Sequence, residues 1–161
     1  IDAKMSNRGH AQRNVKLGIG GIREIEFFVQ TVQVLAGRKV SALLDRSTLG
    51  SLSRLAKKKL LSTEDRDALT AAYLFLRDVE HKLQMVDDLQ THALPESSEE
   101  LERCAVRMGY GAQDRMKAAK LFHVDHQRHT EMVHRTFRSF FVEPMTSSVF
   151  KATLRSLSGS K

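Results

Sequence analysis

Lys16 and three glycines, Gly18, Gly20 and Gly21, stand directly ahead of a segment that opens with Arg23, Glu24 and Glu26. If that segment is a helix, its first backbone N–H groups can hold an anion. The glycines would let the ligand approach closely, and Lys16 would add charge. The plainer reading is a tight turn that leads one helix into the next. It is not a dinucleotide fingerprint, because Arg23 occupies the third glycine position and no strand precedes it, and it is not a Walker A loop. On a helix, Arg23 and Glu26 share a face and Glu24 points to the other side. Charges on a largely apolar helix are costly unless something answers them. They either form buried pairs that fix helix register or line a cleft against another domain.

A second polar stripe follows. Arg77, Glu80, His81, Gln84 and Asp88 recur at i, i+3, i+4, i+7 and i+11. This is either a solvated face with local ion pairs or a face that answers Arg23 and Glu26. Four histidines, His123, His126, His129 and His134, crowd one later segment. Two at i,i+3 could share an ion, but His134 lies about 16 Å along the helix from His123, and no carboxylate motif completes a set. No metal site is predicted. Asp65 and Asp67 would diverge by about 200° on a helix and cannot share a metal there. They read as partners for a helix dipole. Cys104, beside Ala105 and Val106, reads as a core residue. No nucleophile–base pair stands out, so no catalytic residue is assigned.

The elements that must position these groups are all helical. Helices are expected over about 21–36, 48–59, 63–90, 99–108 and 113–142. Ser47 and Ser62 are the expected N-caps of the second and third. Gly37, Pro95, Gly109 and Pro144 mark ends. In the third helix Leu69, Leu76 and Leu83 recur every seventh residue, as do Ala72, Val79 and Val86. That seam predicts packing in a mostly antiparallel bundle of about five helices. The first helix places Ile22, Ile25, Val29, Val32 and Ala36 on one side and Phe27, Phe28, Val34 and Leu35 on another. It leaves a polar stripe of Arg23, Glu26, Gln30 and Gln33, and is expected to be central.

Composition bounds the rest. The chain has 161 residues, enough for one domain with a core, and 41% are apolar. No apolar run approaches membrane-spanning length and no secretory signal is evident. A single cysteine cannot form an internal disulfide, which points to a reducing, cytoplasmic setting. The net charge of +7 gathers in three separate places, over 4–16, 54–59 and 151–161, without interleaved aromatics. That distribution argues against nucleic acid. The absent initiator methionine and the polar opening suggest an excised piece of a longer chain.

The run Val15–Gln30, VKLGIGGIREIEFFVQ, resembles the start of the helical domain of the glutamine synthetase adenylyltransferase family. The resemblance continues through Arg46–Leu49, Leu60–Ser62, Ala72–Arg77, Glu80–Gln84 and Asp88–Pro95, and weakens after that. Enzymes of this family add and remove AMP on glutamine synthetase. They carry two nucleotidyltransferase domains, each followed by such a helical domain. The wording at Ile22–Glu26 and at Gln90–Pro95 resembles the first, adenylyl-removing half.

The resemblance implies three segments: a connection over 1–15 from a nucleotidyltransferase domain, the bundle over 16–144, and a basic linker or truncated helix over 145–161. It implies that the Gly-Ser and Asp-x-Asp motifs, Mg²⁺ and adenine nucleotide belong to the catalytic domain outside this chain. The expected interdomain or nucleotide-facing surface is Lys16, Gly20, Gly21, Arg23 and Glu26, with Arg77, Glu80 and His81 second. Implied partners are the same-chain nucleotidyltransferase domain, glutamine synthetase and the PII signal protein. Contact with PII would make the chain an interaction module instead. The related uridylyltransferase of PII has a similar helical domain but also an HD hydrolase domain and ACT modules, and nothing of those is present.

Overall fold

The computed structural model describes residues 13–37, 45–85 and 92–141. Five helices account for them: α1 (Ile22–Gly37), α2 (Thr48–Lys57), α3 (Thr63–Gln84), α4 (Ser98–Arg107) and α5 (Arg115–Phe141). No strand occurs among the described residues, only an isolated antiparallel bridge between Asn14 and Ala93. The fold is all-α, as the sequence predicts.

Short polar side chains start the helices. Ser47, Ser62 and Ser97 accept from Gly50 N at 3.2 Å, Asp65 N at 2.9 Å and Glu100 N at 3.2 Å. Asp114 accepts from Lys117 N at 2.9 Å ahead of α5. Each bond satisfies an amide that the helix cannot satisfy itself. Gly109, with φ 89°, follows the end of α4, and Tyr110 N donates to Ala105 O across it. The end of α2 uses the same device without glycine. Lys59 takes φ 58°, and Leu60 N donates to Leu55 O. Hence α2 ends at Lys57 and not at Lys59. The parts of the expected helices at 86–90 and 142, with Val86, Asp88, Pro144 and the tail over 145–161, lie outside the described residues.

The heptad seam of α3 is the centre of the core. Leu69, Ala72, Leu76, Val79 and Leu83 are buried, against Ile22 and Ile25 of α1, Leu52 and Leu55 of α2, and Phe122 and Val133 of α5. Burying a leucine of this kind contributes about 2 kcal/mol. Helices α1 and α5 run in the same direction. Phe27 meets Phe137 and Phe28 meets Phe140, with ring centroids 6.1 and 4.6 Å apart, while Glu24 meets His134. Partner numbers rise together, so this pair is parallel within the bundle.

The expectation that α1 is apolar and covered on both sides is corrected. Its neighbours bury Ile22, Ile25, Phe28 and Val29, and Phe27 sits at the edge of that face with one side of its ring against Phe137 and Phe141 of α5. Phe27 remains 53% exposed, and beyond it Val34 is 71% exposed and Leu35 is exposed too. The polar stripe divides as well. Gln33 turns inward, donating to Ser51 Oγ at 2.8 Å and Asp45 O at 3.1 Å, while Arg23 and Gln30 are exposed. The outward face of α1 therefore reads Arg23, Phe27, Gln30, Val34, spaced i, i+4, i+7 and i+11.

Candidate functional site

The glycine turn is built from its own backbone. Asn14 Oδ1 accepts from Lys16 N at 3.1 Å and from Leu17 N at 2.8 Å. Gly21 N donates to Gly18 O, Ile22 N to Val15 O, Arg23 N to Lys16 O and Glu24 N to Gly21 O, at 2.9 to 3.1 Å. The four amides that an anion would use at this helix N-terminus are therefore already donating within the turn.

Gly20 and Gly21 have steric roles. Gly20 has φ 71°, and a Cβ there would sit 1.9 Å from Thr130 O of α5. A Cβ on Gly21 would lie 2.8 to 2.9 Å from the carbonyl oxygens of Lys16, Gly18 and Val15. The turn presses its backbone directly onto α5.

Lys16 and the second stripe converge on one carboxylate. Glu80 of α3 is only 3% exposed. Arg77 Nη1 donates to its Oε2 at 2.5 Å. Lys16 Nζ approaches Oε1 at 3.3 Å and His92 Nδ1 approaches it at 3.1 Å. Neither of these two contacts is aligned as a hydrogen bond; Lys16 acts through its charge, and His92 lies close beside the carboxylate. Glu80 thus joins the glycine turn, α3 and the segment that pairs with it through Val15 N and His92 O at 2.8 Å. The stripe of α3 is answered by Lys16 and His92. His81, on the same helix, is exposed, Arg23 is exposed, and Glu26 is half-buried. Glu24 lies 3.2 Å from His134 Nδ1, a pair between α1 and α5 that sequence spacing could not reveal.

The histidines of α5 do not gather as a metal set, and no group of three or more His, Cys, Asp or Glu among the described residues does. His126 is buried, and its Nε2 has no hydrogen-bond partner. Burial, then the charges of His123 and His129, push its pKa down to about 4. His129 stacks on Phe75 at 4.6 Å and is also pushed down, by burial and then by Arg128. Ile19 of the glycine turn, His123, His126, Glu131 and His134 line a cavity of about 290 Å³ between the turn and α5.

A family described as GlnD PII-uridylyltransferase matches residues 2–141. Curated relatives align over much of the same region. A bifunctional glutamine synthetase adenylyltransferase/adenylyl-removing enzyme of Agrobacterium fabrum is 52% identical over 103 residues, 64% of this chain and 10% of that protein. Its counterpart in Brucella melitensis is 53% identical over 103 residues, again 64% and 10%. One from a Bradyrhizobium species is 46% identical over 123 residues, 73% of this chain and 12% of that protein.

The chain belongs to the glutamine synthetase adenylyltransferase family. It spans about a tenth of the length of the curated relatives it matches. The matching family model carries a uridylyltransferase description, and these curated relatives are named as adenylyltransferases. No described helix is long and apolar enough to cross a membrane.

Proposed function

We propose that this chain is the helical domain that follows the first, adenylyl-removing nucleotidyltransferase domain of a glutamine synthetase adenylyltransferase. It packs on that domain, walls one side of its cleft, and helps position adenylylated glutamine synthetase. There AMP is removed by phosphorolysis, giving ADP, with Mg²⁺ and adenine nucleotide held by the neighbouring domain. The chain contributes position and shape, not catalytic groups.

The outward face of α1 carries this reading. Arg23, Phe27, Gln30 and Val34 present a cation, an amide and two large apolar groups to solvent beside the rigid glycine turn. Exposed apolar surface rimmed by polar groups is typical of a contact with another domain. Glu26 flanks the face, and His81 is exposed on the neighbouring α3. Lys16, Gly20, Gly21, Arg77 and Glu80 hold the turn and α1 in place beneath it.

Arg23→Ala in the full-length enzyme tests the reading. Arg23 is exposed, so its loss should move the melting temperature by less than about 2 °C. Deadenylylation should fall about tenfold or more. Equal losses of activity and stability would show that Arg23 is structural and remove the reading.

A further inference from the structure

We infer that the outward face of α5 is a docking surface for an acidic protein patch, and that its occupant is glutamine synthetase. Lys117, Leu121, Val124, Arg128, Glu131 and Arg135 recur at i, i+4, i+7, i+11, i+14 and i+18 and form one stripe on the solvent side. The opposite side carries the buried Ala118, Phe122, His126, Val133 and Thr136. The stripe extends about 27 Å along the helix axis.

Three features make this face specific. Leu121 is 49% and Val124 61% exposed, on a helix that has a core to bury such groups in. Val124, Gln127, Arg128, Glu131, Met132 and Arg135 border a shallow depression of about 420 Å³. Cations outnumber carboxylates on this face. Lys117, Lys120, Arg128 and Arg135 are exposed along it, and Glu131 is the exposed carboxylate, accepting from Gln127 at 2.7 Å. Arg128 also meets the half-buried Asp125 at 3.1 Å. An acidic surface carrying a small apolar knob complements this arrangement. The anchors on the stripe are aliphatic. A nucleic-acid surface would be expected to offer aromatics for stacking among the cations. Two aliphatics and a cationic rim suit a transient, salt-sensitive encounter, as an enzyme makes with a protein substrate.

This inference rests on the proposed function for the identity of the partner. The test uses the full-length enzyme, immobilised adenylylated glutamine synthetase and, separately, a DNA duplex of about 20 base pairs. Wild-type affinity for glutamine synthetase should fall several-fold between about 50 and about 300 mM salt. Val124→Glu and the double variant Arg128→Glu/Arg135→Glu should each weaken it about tenfold. Their far-UV dichroism and melting temperatures should stay those of wild type. Variants that fold and bind as wild type does would overturn this inference and leave the proposed function standing. Wild type that does not bind glutamine synthetase at all would overturn both. Tighter retention on the duplex than on glutamine synthetase would replace the protein partner with nucleic acid.

Discussion

Gly20→Ala puts two separate costs on one methyl group. Alanine pays about 1–2 kcal/mol to hold the left-handed backbone, here φ 71°. The new Cβ also lands 1.9 Å from Thr130 O, so the turn and α5 must move apart. Overpacking of that kind costs about 1–3 kcal/mol more. A total loss of about 3 kcal/mol is expected in urea unfolding. Gly109→Ala separates the terms, because φ is 89° but nothing lies within 4 Å of the added atom. It should lose about 1 kcal/mol. Similar losses at both sites would mean that the contact with α5 does not matter. The sequence marks Gly20 as a turn residue. It cannot show that the surface the turn must approach is the backbone of a helix 110 residues further on.

Glu80 sets the relation between elements. Three side chains from three segments reach its carboxylate, and the carboxylate itself is buried. Glu80→Gln keeps the shape and removes the charge. Lys16 and Arg77 are partly exposed, so water takes over some of their solvation. The cost should be about 2 kcal/mol, below that of breaking a fully buried pair. Amide exchange should speed up at Val15 and Leu94, whose N–H groups tie the two segments together at 2.8 and 2.9 Å. Faster exchange spread evenly over α5 would instead indicate general destabilisation.

At this scale the sequence is informative where one residue acts on its own helix. The Ser47 and Ser62 caps and the α3 seam are local signals and could be located directly. The end of α2 could not, since Lys59 takes a conformation that glycine normally marks. The exposed face of α1 was illegible for a different reason. Phe27 and Val34 look like core in sequence, and only the placement of α2, α3 and α5 decides which flank is covered.

Protonation acts on the molecule as a whole through the buried imidazole of His126. Its folded pKa of about 4 lies below the ordinary 6.5 because the buried charged form is poorly solvated, with His123 and His129 adding repulsion. Between those two values the unfolded chain binds more protons, so stability rises with pH there. The contribution is fully present above about pH 6.5 and is lost as pH falls towards 4, with a ceiling of about 3 kcal/mol. His129 is shifted in the same direction and steepens the loss. The alkaline side is bounded by other groups. Burial raises the Cys104 thiol, and burial together with the hydrogen bond to Asp125 raises the Tyr110 phenol. An acid with a raised folded pKa contributes stability below its ordinary pKa and loses it as pH rises beyond that value.

The melting temperature should therefore have a plateau near neutral pH. It should fall by several degrees between about pH 7 and about pH 5, before most carboxylates titrate. His126→Gln separates this term from the general acid response. Glutamine does not titrate, so the variant, though less stable at neutral pH, should show a shallower slope over that interval. A wild-type melting temperature that is flat from neutral pH to about pH 5, or an equal slope in the variant, would mean that His126 gains a proton without opening the core.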